Sequence, residues 1–279
     1  MIWQMFRIIE LTGGLGNQIF EYAVYLYLKR KYPDDRLYVY YTAHSFSEHN
    51  GYLEVTRHFD AEMPQPRPWL RYARALMLRI TRLTGYRRWE TTWDGPVIKD
   101  ESYLFLYAYR NNRRYIPLER DWIRFKRPVL SQQNVDVLGR ITSGSSVFVH
   151  VRRGDYLSAK YRDRFWGICT MEYYQKAMRL MRERHPGARF FVFSDDTAWC
   201  RNHITSTDND MEYIDWNTGY DSYLDMYLMA HCKAGIMANS TFSYWAARLV
   251  RQKDVIYPVQ WSRSQYGVPD IFEPDWIGI

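Results

Sequence analysis

The period of the hydrophobic positions changes twice within the first forty residues. Arg7–Leu11 (RIIEL) is a short apolar run of strand type, and Thr12-Gly13-Gly14-Leu15-Gly16-Asn17 behind it has the composition of a tight turn. From Gln18 to Lys31, Ile19, Phe20, Ala23, Val24, Tyr27 and Leu28 recur at helical spacing, until Pro33 and Asp34-Asp35 end the run. Strand, glycine turn and helix in that order predict an α/β domain. The alternation returns after Ser143-Gly144-Ser145-Ser146, which has linker composition. Val147–Val151 is an apolar strand run, Thr170–Arg184 a helix closed by His185-Pro186-Gly187, and Arg189–Ser194 a second strand. Asp221–Cys232 reads as a helix, Gly235–Ala238 as a strand, Thr241–Arg251 as a helix, and Val255–Tyr257 as a strand before Pro258. Strands alternating with helices predict a doubly wound parallel sheet, and two Rossmann-like halves, 1–143 and 144–279, are the economical division.

One segment differs in kind. Between Pro64 and Arg88 there are seven arginines and no acidic residue. Within it Trp69, Leu70, Ala73, Leu76, Met77, Ile80 and Leu83 fall at helical spacing with the arginines largely elsewhere. Such a basic amphipathic helix either lies on an anionic membrane surface or packs on a core with a solvated arginine face.

Composition narrows the class. With 47% hydrophobic residues the chain can build cores, which excludes a disordered protein. The 18% aromatic content suits rings that stack on the apolar faces of sugars, and equally a tyrosine-rich core. A net charge of +7 points to an anionic partner, whether nucleic acid, nucleotide-sugar diphosphate or membrane surface. Cys169, Cys200 and Cys232 show no metal-ligand spacing and read as reduced intracellular thiols. No run approaches the roughly 18 consecutive apolar residues of a spanning helix, and Met1–Glu10 has no signal-peptide core. A cytoplasmic protein, with at most a peripheral seat on the inner face of a membrane, is expected.

Four constellations carry candidate chemistry. His150-Val151-Arg152-Arg153-Gly154-Asp155-Tyr156 follows the strand Val147–Val151, at the end where open α/β sheets bind ligands. Arg152 and Arg153 present planar donor forks that match phosphate oxygens, and Asp155 can hold one guanidinium. A structural Arg–Asp ion pair is the competing reading. Ala238-Asn239-Ser240-Thr241-Phe242 joins a strand to a helix, so Asn239, Ser240 or Thr241 serves as its cap and the amides form an anion site. Gly13-Gly14-Leu15-Gly16-Asn17-Gln18 lacks the third glycine of a dinucleotide motif, where Ile19 stands, but brings backbone close to a ligand with the Asn17 and Gln18 amides facing it. Ser194-Asp195-Asp196 ends a strand and offers carboxylates to a base or ribose, or a helix cap. Asp208-Asn209-Asp210 has the DxD form that holds Mn²⁺ and a diphosphate, but it lies in a polar stretch that reads as a solvated loop.

In this order GGLGNQIFEYA (Gly13–Ala23), HVRRGDY (His150–Tyr156), FVFSDD..WC (Phe191–Cys200) and ANSTFSYWAARL (Ala238–Leu249) resemble the α-1,2-fucosyltransferases of the bacterial type, glycosyltransferase family 11. The HxRRxD element is shared with α-1,6- and protein O-fucosyltransferases. The resemblance implies a GT-B fold without a metal or cofactor, with an acceptor-side domain at 1–143 and a domain for the donor, GDP-fucose, at 144–279. It implies that Arg152 or Arg153 binds the β-phosphate, that Ser240, Thr241 and Phe242 line the diphosphate, that Asp195 or Asp196 contacts the nucleoside, and that Asn17 approaches the fucose. Donor contacts are thus expected at Gly14, Gly16, Asn17, Gln18, Ser194, Asp195, Asp196, Asn239, Ser240, Thr241 and Phe242. The catalytic set is Arg152, Arg153, Asp155 and His150, the last two as candidate bases. The implied reaction inverts β-linked fucose onto O2 of a terminal galactose of a cell-surface polysaccharide or lipopolysaccharide. The alternatives are another linkage or GDP-sugar, and, from a different class, a basic nucleic-acid-binding protein. Acceptor selection is expected in Tyr38–Ser143, where Trp69, Trp89 and Trp93 can stack on sugar. Where the family shows a His-Asn pair, this chain has Ala234-Gly235.

Overall fold

The computed structural model describes residues 6–46, 50–85, 105–107, 112–206, 208–249, 254–263 and 268–279. The chain divides into two units, Met1–Arg124 and Phe125–Ile279. In the first, β1 (Phe6–Glu10) is the middle strand of a parallel sheet in the order β2-β1-β3, with β2 at Arg36–Tyr40 and β3 at Phe105–Tyr107. Helix α1 (Leu15–Lys31) links β1 to β2, and α2 (Glu54–His58) and α3 (Trp69–Thr84) precede β3. Helix α1 begins at Leu15, ahead of the expected Gln18, because Gly14 is its N-cap. The Gly14 carbonyl accepts from the Asn17 and Gln18 amides at 2.9 and 3.1 Å, so the first turn closes inside the glycine motif. Lys29, Arg30 and Lys31 in its last turn meet the negative end of the helix dipole. Alternation along β1 splits its side chains between faces. Ile8 joins Leu70 and Met77 of α3 in a small core, with Tyr38 and Tyr40 packed against it. Arg7, on the other face, pairs with Asp35 at 2.5 Å and lies over the Tyr32 ring.

The second unit opens with α4 (Gln132–Ser143) and carries a six-stranded, all-parallel sheet in the order β6-β5-β4-β7-β8-β9. Its strands are β4 (Ser146–Val151), β5 (Arg189–Ser194), β6 (Met211–Ile214), β7 (Ala234–Ile236), β8 (Asp254–Tyr257) and β9 (Ile277–Gly278). The helices after α4 are α5 (Arg162–Phe165), α6 (Met171–Arg184), α7 (Thr197–His203), α8 (Tyr223–His231) and α9 (Thr241–Leu249). The division at Arg124/Phe125 falls ahead of the expected 143/144 boundary, and α4 is the reason. Its inward residues Asn134, Val137 and Ile141 are buried, and it packs on α8 and β4, so Ser143–Ser146 is a turn within the unit rather than a linker.

Every residue of β4 is buried, as a central parallel strand covered on both faces requires. Val147, Val149 and Val151 share a core with Tyr173, Tyr174, Ala177, Met178 and Met181 of α6. Phe148 points to the opposite face, and its ring lies where a Cβ on Gly235 would stand. The space that a side chain at Gly235 would take is filled by the Phe148 ring. Chain order reverses between β4 and β7. In open α/β sheets that reversal opens a crevice beyond the strand ends.

Candidate active site

The loops after β4 and β7 both leave the sheet at this crevice, and one hydrogen bond and one ring contact join them. The Tyr156 hydroxyl donates to the Asn239 carbonyl at 2.9 Å, and the His150 and Phe242 rings lie 5.8 Å apart. His150, Arg152, Arg153 and Asp155 from one loop and Ser240, Thr241 and Phe242 from the other thus stand in one place. Phe242 donates its amide to the Ser240 hydroxyl at 3.3 Å, so of the three candidate caps Ser240 opens α9. Asn239 is buried and works inward: its amide donates to the Trp261 and Phe165 carbonyls at 3.1 and 3.4 Å. Thr241 and Phe242 are half-buried.

The two arginines differ in their fastening. Arg152 donates Nε to Asp155 at 2.9 Å and holds Nη1 at 3.2 Å from Asp195. Burial by itself lowers the proton affinity of this guanidinium; the Asp195 and Asp155 carboxylates outweigh it and raise the pKa above the ordinary arginine value. Arg153 donates Nε to Asp196 at 3.0 Å, and its guanidinium lies 3.9 Å from the Trp199 ring centre and 4.8 Å from that of Trp166. His203 also stacks on Trp199, with ring centres 4.2 Å apart. Neither Arg152 Nη2 nor the Nη atoms of Arg153 hydrogen-bond to a described residue.

Ser194, Asp195 and Asp196 form the floor. Asp195 accepts the Arg153 amide at 2.8 Å, and Asp196 caps α7 by accepting from the Trp199 amide at 3.1 Å. The Ser194 hydroxyl accepts from the Asp196 amide at 2.9 Å. Of the two readings of the acidic pair the cap is the one seen here, and the same turn also supplies ion-pair partners to the arginines. Gly154 is tight against it: a Cβ there would stand 2.9 Å from Asp195 Oδ2. His150 is buried and neutral, its pKa pushed down to about 3 by burial and then by the Arg152 charge. Its Nδ1 has no hydrogen-bond partner among the described residues.

The glycine motif of the first unit behaves otherwise than expected. The Asn17 and Gln18 amides close α1 and do not face outward. The Gln18 side chain is buried, donating to the Gly13 carbonyl at 2.9 Å and accepting from the Glu54 and Val55 amides at 2.7 and 3.1 Å. Glu21, also buried, accepts the Thr12 amide at 2.9 Å. Gly13 has φ +80°, and a Cβ there would collide with the Asn17 side chain, so the half-buried Asn17 lies over it. Gly14 and Gly16 shape the same turn. The sequence does not announce this role of Gln18, because Glu54 and Val55 lie far along the chain and only the fold brings them to it.

Asp208-Asn209-Asp210 is neither a free loop nor a clustered metal site. Asp210 accepts from Arg182 of α6 at 2.9 Å, and this pairing, against the opposing effect of burial, holds its carboxyl below the usual range. Among the described residues no group of histidine, cysteine, aspartate or glutamate side chains is arranged to hold a metal, and no helix is long and apolar enough to cross a membrane. Trp69 is described and half-exposed; Trp89 and Trp93 lie outside the described residues.

Two parallel α/β sheets, with two arginines and a helix N-terminus at the strand-order reversal of the second, fit the fold of the GT-B-type α/β glycosyltransferases. The family model for glycosyl transferase family 11 matches residues 3–279, and the chain belongs to that family. Over 98% of both chains it is 29% identical to an alpha-1,2-colitosyltransferase of Escherichia coli. It is 26% identical to the O-antigen biosynthesis glycosyltransferase WbnK of Escherichia coli, covering 90% of this chain and 93% of that one. A 32% match to galactoside alpha-(1,2)-fucosyltransferase 1 of Plecturocebus brunneus covers 54% of this chain and 44% of the relative. Among solved structures, NodZ alpha-1,6-fucosyltransferase soaked with GDP-fucose superposes with a TM-score of 0.50 at 15% identity, over 88% of this chain and 93% of that one, and bears on the fold alone.

Proposed function

We propose that the chain transfers L-fucose from GDP-fucose to O2 of a terminal galactose on a polysaccharide or lipopolysaccharide acceptor, in the cytoplasm. The observation that carries the donor reading is the crevice itself, where Arg152 and Arg153 hold unengaged guanidinium nitrogens beside the N-terminus of α9. The galactoside and O-antigen names among the relatives support the acceptor. Free thiols at Cys169, Cys200 and Cys232, the last two buried, fit a reducing compartment.

In this reaction the acceptor O2 bonds to the anomeric carbon from the face opposite the diphosphate. The carbon–oxygen bond to the β-phosphate breaks, its electron pair leaves with GDP, and the β-linked sugar becomes α-linked. Negative charge grows on the departing phosphate, where the arginine forks and α9 amides are preorganised to meet it. The acceptor proton has two candidate destinations. His150, with a pKa of about 3, binds a proton weakly near neutral pH, whereas Asp155 is one-third exposed and no described residue donates to its Oδ2. Asp155 is the better base, and the same residue orients Arg152.

A second donor, colitose, is favoured by the relative matched along its whole length. Colitose is L-fucose without its 3-hydroxyl. The experiment offers GDP-fucose and GDP-colitose separately with lactose in EDTA and reads the product linkage by NMR. Transfer of fucose to O2 of galactose, undiminished by EDTA, is expected. Preferential use of GDP-colitose would replace the donor, and no transfer to a wide acceptor panel together with no GDP binding by calorimetry would end the reading.

A further inference from the structure

We propose that the outward face of α3 docks the first unit on an anionic bilayer surface. The inference is independent of the sugar transferred. Helix α3 presents two apolar sectors where one would suffice for packing. Leu70 and Met77 point into the small core beside Ile8. Trp69, Tyr72, Leu76 and Leu83, spaced three, four and seven residues apart, form a second stripe on the solvent side. Their exposures, 48%, 63%, 59% and 77%, are those of surface residues, in side chains of which water would ordinarily hold few together. Phe6, 48% exposed, stacks on Tyr38, which meets Trp69 edge-on at 5.6 Å, so the apolar strip continues onto β1.

The charges decide the occupant. Arg67, Arg71, Arg79 and Arg82 are exposed beside the stripe, and none forms an ion pair with a described acidic residue. Only Arg74 turns inward, to Glu10 at 3.1 Å. Arg71 lies over the Tyr72 ring, 4.5 Å from its centre, and keeps its charge at the rim. A helix with exposed aromatic and aliphatic residues on one flank and exposed arginines on the next lies in the plane of a membrane interface, the apolar flank below the headgroups and the guanidinium groups on lipid phosphates. A second copy of this chain meeting the face symmetrically would set Arg79 and Arg82 against themselves. Nucleic acid would engage the arginines but gains nothing from Leu76 and Leu83.

The test is co-sedimentation of the full chain with phosphatidylglycerol vesicles and with phosphatidylcholine vesicles, across a range of salt. Binding to phosphatidylglycerol that weakens as salt rises, with little to phosphatidylcholine, is expected. Arg79→Gln with Arg82→Gln should lower the partition coefficient by roughly 20- to 30-fold, at about fivefold per arginine removed. Leu76→Ser with Leu83→Ser should also weaken it. Both pairs are exposed, so their melting temperatures and circular dichroism should match the parent's and keep the comparison interpretable. Absence of binding to phosphatidylglycerol at low salt, or equal binding by the variants, overturns the proposal. So does a concentration-dependent dimer in sedimentation velocity that the leucine variant abolishes, or oligonucleotide binding that needs the arginines and ignores the leucines in a chain that does not bind vesicles.

Discussion

Replacing Arg152 with alanine tests the site at the residue where structure and chemistry are least separable. Its guanidinium stands between Asp155 and Asp195 and leaves Nη2 without a hydrogen bond to a described residue. Removing one preorganised donor to a developing charge costs about 2.7–4 kcal/mol of transition-state stabilisation, or roughly 100- to 1000-fold in kcat. The two carboxylates would then face the ligand phosphates unneutralised, so the loss in kcat/KM should sit at the upper end of that range or beyond it. Arg152→Lys separates charge from geometry. One ammonium cannot reproduce an Nε bond to Asp155 and an Nη1 contact to Asp195 while a third nitrogen points elsewhere. The lysine variant should melt near the parent temperature yet recover no more than about tenfold of the lost kcat/KM, a fraction of the roughly 1000-fold at stake. Steady-state transfer rates, with GDP affinity measured by calorimetry, read both quantities. An Arg152→Ala chain retaining kcat/KM within about threefold of the parent, well short of the range for a charge-stabilising donor, would refute the argument.

The other predictions concern stability and its dependence on pH. Gly235→Ala drives a methyl into the Phe148 ring and should cost about 1–3 kcal/mol, lowering the melting temperature of the second unit without altering the crevice side chains. Gln18→Leu leaves the Gly13 carbonyl and the Glu54 and Val55 amides without their partner, and at about 1–3 kcal/mol for each buried group left unsatisfied it should destabilise the first unit severely. Asp225 accepts from Asn217 at 2.8 Å, and burial raises its pKa to about 8. The folded state therefore holds a proton that the unfolded chain releases near the ordinary aspartate value, so this contribution is complete at acid pH and is lost as pH rises through about 8. Asp225→Asn should flatten that slope, its melting temperature gaining on the parent's toward pH 8 and not at pH 4; parallel profiles would contradict the assignment.

The second unit was more legible than the first, for reasons visible in particular residues. Thr170 is a side-chain cap accepting the Tyr173 amide, and α6 begins at Met171 directly behind it. The strand expected at Arg189–Ser194 is β5, since an unbroken run of buried aromatic and β-branched residues needs no outside information. Helix α1 was placed late because Gly14 caps it with backbone alone and offers no side-chain signal. Strand β6 gives no sequence signal, because three of its four residues are only partly buried at the sheet edge and carry no apolar run. The arginines could be chosen from their position after β4, but the brace around Arg153 could not. Trp199 stood within a motif already singled out, whereas Trp166 lies in a loop whose sequence gives no hint that it meets Arg153. Gln18 reads as a ligand contact from its adjacency to glycines, and its hydrogen bonds to residues far along the chain, which the sequence does not show, tie its side chain into the scaffold.

The reversal of strand order between β4 and β7 also sets when the crevice can exist during folding. Its two rims are far apart in sequence, and they meet only when Val147 and Val149 pair with Ala234 and Ile236. The intervening chain must first wind through α6, β5, α7, β6 and α8, which makes this pairing among the least local in the unit. A partly folded second unit has the arginines but no opposite wall. Ligand affinity should therefore appear in a single step late in refolding, and a nucleotide that binds only the finished crevice would pull the whole sheet toward its native state.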